Sequence, residues 1–240
     1  MRIVNAARPR RDGPNWVHYK YRDASGRVIF DKVRVPKPDG GKGFLYCYQG
    51  SGWAKGIPFW GKPPWADSYL YNVPELLQAK ESGADIWWCE GEKDADRLEE
   101  EDVTTTSHHG GAGHINAAQA EWFRGHTGRV ILLMDLDEDG PTGANPGAYD
   151  VIRRYDLLLA VGITREQIRV AAPKVGKDIY DHLVAGRTLD ELVWVTDLRP
   201  LRDKAERGNG FAGSGYPQAD PEMEEALAQI EREGWKVRRG

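Results

Sequence analysis

The chain has 240 residues, 40% hydrophobic and 29% charged, the composition of a folded globular protein with room for one large domain or two small ones. No apolar run is long enough to span a bilayer and none follows Met1-Arg2-Ile3-Val4-Asn5, so no membrane helix and no signal peptide are expected, and a cytoplasmic setting is. The net charge of −4 hides an asymmetry: residues 1–66 hold 13 Lys+Arg against 4 Asp+Glu, and the remainder 20 against 33.

The basic segment also carries 11 of the 24 aromatic residues. Basic and aromatic side chains together suit a surface that meets a phosphate backbone and stacks bases; a small sheet also needs aromatics for its core, and both readings stay open. Cys47 and Cys89 lie far apart and form no CxxC pair, so neither a disulfide framework nor structural zinc is expected. His108, His109 and His114 have no cysteine or carboxylate spaced with them as a zinc set requires.

Residues 1–14 read as a flexible basic arm. Trp16–Arg22 alternates like a strand, Asp23–Gly26 reads as a turn, and Arg27–Val35 as the second strand of a hairpin. Phe44–Tyr48 gives a third strand. Residues 49–67, rich in Gly, Pro and Trp, link the halves. A helix opens at Val73-Pro74, with proline at a tolerated first-turn position.

The pattern then becomes strand–helix–strand. Ile86–Cys89 is a buried strand, Glu92–Glu101 an acidic helix and Val103–Thr106 a β-branched strand. Ser107–Gly113 is a glycine loop, Asn116–Phe123 a helix and Val130–Met134 a buried strand. A helix over 148–161, the strand Ile168–Ala172, a short helix opened by Lys177-Asp178 and a closing segment Thr188–Val193 follow. This alternation predicts a parallel sheet with right-handed crossovers. From Asp197 the composition shifts towards a linker, with an acidic helix over 221–233. The predicted division is 1–67, a basic aromatic β-rich subdomain; 68–196, an α/β domain; and 197–240, a flexible linker with a short helix.

Two strands of the α/β part end in carboxylates. Ile131-Leu132-Leu133-Met134 runs into Asp135-Leu136-Asp137-Glu138-Asp139-Gly140, and Ile86–Cys89 into Glu90-Gly91-Glu92. Strand alternation points Asp135 and Asp137 the same way, so the pair can share one hard cation at the strand end, where open α/β sheets place their sites. An acidic turn after a core strand is the alternative. The loop His108–Gly113, with Gly110, Gly111 and Gly113, offers backbone N–H groups near a helix start, a candidate phosphate cradle.

Glu-Gly-Glu-Lys-Asp at 90–94, the glycine loop, Asp-Leu-Asp-Glu-Asp-Gly at 135–140 and Lys177-Asp178 together resemble the Toprim domain, shared by bacterial-type primases, type IA and type II topoisomerases and some nucleases. The resemblance is nearest to the primase part of phage primase–helicases and to stand-alone Toprim proteins of phages and mobile elements. Tyr19-Lys20-Tyr21-Arg22-Asp23-Ala24-Ser25-Gly26 matches the Tyr-x-Tyr-x-Asp-x-x-Gly pattern that precedes their Toprim core, and the likeness covers roughly residues 16–195. It implies a Rossmann-like parallel sheet flanked by helices, preceded by a small antiparallel β-rich subdomain. It implies Glu90, Asp135 and Asp137 as catalytic carboxylates and metal ligands, with Asp178 joining them as a further ligand; Asp139, outside that carry-over, is a candidate extra ligand or a solvated acid. Mg²⁺ or Mn²⁺ is the implied cofactor. Lys93 and Lys177 are candidates for neutralising triphosphate charge, and Arg27, Lys32 and Arg34 for contacting template.

The implied activity is primer synthesis on a single-stranded DNA template from nucleoside triphosphates. Metal-dependent nuclease action and a non-catalytic subunit that recruits a replication partner are the alternatives. No cysteine pair supplies the zinc ribbon many primases carry, and no GxxxxGK[ST] loop supplies a helicase motor, so a helicase or a separate zinc-bearing subunit is an implied partner. If the gene is phage-borne, the setting is a bacterial host's cytoplasm.

Overall fold

In the computed structural model of the protein, residues 16–37, 40–48 and 59–207 are described. The expected N-terminal arm, much of the link after residue 48 and the expected helix at 221–233 lie outside them. Two compact units divide near residue 66.

The first unit is an antiparallel sheet of β1 (Val17–Arg22), β2 (Val28–Pro36), β3 (Lys42–Tyr48) and β4 (Phe59–Trp60), in that spatial order. The first three strands are those the alternation predicts; β4 lies in the stretch read as a link, because two residues are too few to show a period. The hairpin closes where Asp23 N–H donates to Arg27 O at 2.9 Å, with Gly26 at φ 82 supplying the left-handed turn position. Tyr19, Tyr21, Phe30 and Tyr48 are buried. Tyr21 stacks on Phe30 at 4.2 Å, and Trp65 meets Phe30 edge-on at 5.7 Å. These four rings therefore serve packing.

The second unit is a five-stranded sheet in the order β6 (Thr104–Ser107), β5 (Ile86–Cys89), β7 (Val130–Leu133), β8 (Ile168–Ala172) and β9 (Val193–Trp194). All pairs are parallel except β8–β9. Four-residue strands buried at every position, as β5 and β7 are, belong in the middle of a sheet covered on both faces. One face packs α1 (Val73–Ser82), α3 (Ala117–Ala120) and α4 (Pro146–Ala160) around Trp88, Leu132, Val151, Leu158 and Phe123. On the other, α2 (Glu92–Glu99) and α5 (Ile179–Val184) pack together. This is the fold class expected: a helix-flanked, mainly parallel sheet preceded by an antiparallel one.

Local chemistry sets the boundaries. Gly83, at φ 70, ends α1 and donates its N–H to Ala79 O. Asn145 caps α4, accepting from Ala148 N–H at 2.9 Å, with Pro146 in the first turn. The helix expected from Lys177 starts at Ile179, because the Asp178 carboxylate accepts from Asp181 N–H at 2.8 Å and acts as the cap.

The linker expected from Asp197 is corrected over its first part. Arg199–Arg207 forms α6, which packs on α4. Leu198 and Leu201 lie against the core and Ala205 is buried in it. Arg202 grips Asp156 through two hydrogen bonds of 3.0 and 2.6 Å. A linker-like composition hides this helix because only one narrow stripe of it is apolar. Among the described residues no helix is long and apolar enough to cross a membrane.

Trp88 stacks on Phe123 at a 4.6 Å centroid distance, both fully buried. Phe123→Ala is expected to cost about 3–5 kcal/mol through lost transfer energy and a cavity, lowering Tm by roughly 10 °C. Val184→Ala, at a side chain 63% exposed, should stay within about 0.5 kcal/mol. Thermal melts followed by circular dichroism check both; equal shifts would refute this account of the core.

Candidate metal and nucleotide site

β5 and β7 are adjacent, with Trp88 opposite Leu132, so the residues just past them, Glu90 and Asp135, leave the sheet side by side. The loop after β8 is tied to the same edge: Met134 N–H donates to Ala171 O at 2.9 Å and Leu136 N–H to Lys177 O at 2.7 Å. That places Asp178 beside the other two acids. A fourth carboxylate, Asp94, rises from the first turn of α2 and is buried.

These acids repel one another in a site with little water. Burial first, then the charges of Asp150 and Asp135, push the Glu90 carboxyl up to about 8. Burial and Asp178 push Asp94 up to about 7. Burial, Asp94 and Asp178 do the same to Asp135, also to about 7. Glu90 Oε2 and Asp94 Oδ1 are buried without a hydrogen-bond partner. A buried carboxylate oxygen without a donor is costly; a divalent cation is the group whose charge and oxygen preference fit such a set.

Lysines engage the remaining acids and approach Asp94 as well, Lys93 Nζ lying 4.0 Å from Asp94 Oδ1. Lys93 Nζ lies 2.9 Å from Asp178 and 4.1 Å from the Tyr180 ring centroid. Lys177 Nζ lies 2.7 Å from Asp137, and Lys204 Nζ 2.8 Å from Asp139. Among the described residues no group of three His, Cys, Asp or Glu forms a ready metal cage. The expected ligands are thus sorted: Glu90, Asp135 and Asp178, joined by Asp94, share one electrostatic field. Asp137 turns to Lys177. Asp139 stands at an exposed rim with Lys204 and Asn145.

The glycine loop differs from the expected cradle. Ala112 N–H donates to Glu90 Oε1 at 3.1 Å, and Gly113 N–H, at a position with φ 80, donates to Asp150 Oδ1 at 3.2 Å. Two amides thus serve carboxylates of the protein itself, and α3 behind the loop has only four residues. Gly110 is needed for space, since an added Cβ would lie 2.2 Å from His114 Cβ; Gly111 stays in the turn, its carbonyl 3.0 Å from His108 Nε2.

Among the basic residues expected on template, Arg27 is exposed and pairs with Asp23 at 3.0 Å. Arg34 is half-buried, opposite Val17 and Phe44. Lys32 is a correction: only 3% exposed, it sits between Tyr19 and Tyr46 in register, its Nζ 4.3 Å from the Phe44 ring centroid. Neighbouring rings bury its stem and attract its charge.

The residue that sequence reading missed is Arg154. It is fully buried on α4, and its guanidinium donates to Trp88 O and, at 2.8 Å, to Leu133 O. These carbonyls lie two residues before Glu90 and Asp135. Its charge is met by Asp150 at 2.7 Å, which also receives His108 at 3.2 Å. Burial would raise Asp150, but Arg154 and His108 hold it well below the usual carboxylate range. A signal was present: Asp150 and Arg154 are four apart, an ion-pair spacing, on the same helical stripe as Val151, Tyr155 and Leu158.

Arg154→Met is expected to destabilise by about 3–5 kcal/mol, because it removes the guanidinium that balances the buried charge of Asp150. The double variant with Asp150→Asn should recover part of that loss. Urea unfolding of the four proteins of the cycle measures it; additive losses would contradict the pairing.

No protein-family profile matches the sequence, and no curated protein matches it. Similarity to solved structures is extensive. The Escherichia coli primase catalytic core aligns at TM-score 0.53 and 16% identity, over 90% of this chain and 61% of that one. A structure of the DnaG catalytic core aligns at 0.53 and 18%, over 90% and 62%. The Aquifex aeolicus primase, comprising zinc-binding and RNA polymerase domains, aligns at 0.50 and 19%, over 92% and 52%. The chain therefore shares the fold of primase catalytic cores while spanning about three fifths or less of the length of the chains it matches.

Proposed function

We propose that this protein is a primase-type nucleotidyltransferase that synthesises short oligonucleotide primers on a single-stranded DNA template from nucleoside triphosphates. The observation that carries this reading is the set of mutually repelling carboxylates, Glu90, Asp94 and Asp135, with two buried oxygens that accept no hydrogen bond, at the carboxyl edge of a primase-type fold. Glu90, Asp135 and Asp178 would hold Mg²⁺ or Mn²⁺, with Asp94 behind them and Asp137 available once Lys177 releases it. When bound, such ions supply positive charge to the triphosphate and acidify a primer 3′-hydroxyl.

The protein's own groups do the rest. Lys93 and Lys177 neutralise Asp178 and Asp137, and both would pass that charge to incoming phosphates. Arg154 fixes the spacing of the two acid-bearing strand ends through the Trp88 and Leu133 carbonyls. Ala112 N–H holds Glu90 in one orientation. Arg27 and Arg34 remain the template contacts of the antiparallel sheet, and a helicase or zinc-bearing subunit is the proposed partner for choosing a start site. The enzyme would act in the cytoplasm, where template and nucleotides meet.

The site predicts a pH dependence. Glu90, Asp94 and Asp135 have folded pKa values above the ordinary carboxylate range, so between about pH 4 and pH 8 the folded chain holds more protons than the unfolded one. Stability in the presence of a chelator should therefore fall as pH rises through that window. Millimolar Mg²⁺ or Mn²⁺ should raise Tm more at the alkaline end than at the acid end, by mass action on the folded state. Glu90→Gln should flatten the chelated profile, and a divalent-induced Tm gain that ignores pH would contradict this reading.

The activity test uses single-stranded DNA, labelled nucleotides and Mg²⁺ or Mn²⁺, with new oligonucleotides and template cuts resolved together. Short products that fall by about 10²-fold or more in Asp135→Ala are expected. Template cleavage instead would make the site a nuclease.

A further inference from the structure

Along the β8–β9 side of the second unit's sheet lies a groove of about 530 Å³ lined by Arg129, Arg165, Arg169 and Trp194, with Val170 and Leu198 also in its wall. Arg129 precedes β7, Arg165 precedes β8 and Arg169 is the second residue of β8, so these cations mark the amino-terminal edge. Strand register pairs Ile131 with Trp87 and Arg169, and Ala171 with Trp194. Alternation then puts Trp87, Arg169 and Trp194 on one face. Trp87 is buried and meets Trp194 at 6.4 Å, whereas Trp194 is 45% exposed and Arg165 and Arg169 are exposed.

Core packing does not require an exposed tryptophan at the end of a two-residue edge strand. Among the described residues no carboxylate lines the groove. Asp85 holds Arg129 through two hydrogen bonds, and exposed Glu166, engaged by its own backbone N–H and the Thr164 hydroxyl, also feels the charges of Arg165 and Arg169. Two guanidinium groups, Arg165 and Arg169, carry more charge than Glu166 alone offsets, beside an indole that meets the Trp87 ring.

We propose that this groove binds single-stranded nucleic acid, with a base stacked on Trp194 and backbone phosphates on Arg165 and Arg169. A flat aromatic platform with adjacent guanidinium groups is the chemistry by which single strands are held without sequence preference. Charge complementarity selects a polyanion, and the ring beside the cations selects one that carries bases. None of the groove's lining residues belongs to the acidic set, so the site does not depend on any reaction there.

The test measures anisotropy of a labelled oligo-dT with the full chain across a salt series. Arg165→Glu with Arg169→Glu should weaken binding at least tenfold and reduce the salt slope by about 1.4, the loss of two single-strand phosphate contacts. Trp194→Ala should weaken binding roughly tenfold at unchanged slope, and Trp194→Phe should restore most of it. Ultraviolet cross-linking of the same oligonucleotide should map to the peptide carrying Trp194. Binding with an unchanged salt slope in the double arginine variant, folded by circular dichroism, would overturn the proposal. So would equal weakening towards inorganic polyphosphate in Trp194→Ala, since that ligand has no base to stack.

Discussion

One buried guanidinium sets the geometry of the acidic edge. Parallel strands stop pairing where they diverge, and past that point their carbonyls need other donors. Arg154 supplies them to β5 and β7 at once, through Trp88 and Leu133. A planar fork with fixed N–H directions suits two acceptors on separate strands; a lysine's point charge would not. The cost of burying that cation is met by Asp150, which is tied in turn to His108 and to Gly113 N–H. The glycine loop is thereby anchored to the helix that carries the arginine.

With the strand ends fixed, the carboxylates cannot move apart to relieve repulsion. Glu90, Asp94 and Asp135 respond by shifting their protonation upwards, while Asp137, Asp139 and Asp178 each recruit a lysine. The edge therefore holds excess negative charge in its buried interior and neutralised pairs at its rim. Such a gradient draws cations inward and leaves ammonium groups at the margin, where anionic phosphates would arrive.

How much of this was readable from sequence depends on the range of the forces involved. β5 and β7 were legible because uniform burial leaves an unbroken apolar run, and Glu90 and Asp135 because acids follow those runs directly. The hairpin was legible through its alternation and the turn at Asp23–Gly26. β4 was too short to carry a period. α6 was masked by its charge, since its docking rests on Arg202 meeting Asp156 46 positions away. The destinations of the loop amides, Ala112 to Glu90 and Gly113 to Asp150, were equally hidden, because nothing local distinguishes an amide that awaits a phosphate from one already bound to a carboxylate. Lys32 looked like a surface cation because strand alternation alone does not reveal which face is covered.

α4 touches the acidic edge twice. Near its start, an added Cβ on Gly147 would lie 2.2 Å from the Asp135 carbonyl oxygen, so the helix lies flush against the acidic loop. Two turns later, Arg154 reaches the strand carbonyls. The two contacts fix the helix in rotational phase as well as position. Inserting one residue between them would turn the arginine by about 100° around the helix axis, carrying it off the strand ends while Gly147 stayed in place. The segment from Gly147 to Arg154 is therefore intolerant of length change even where individual side chains are replaceable, and the tuning left to this edge lies in its charges, since its spacing is locked.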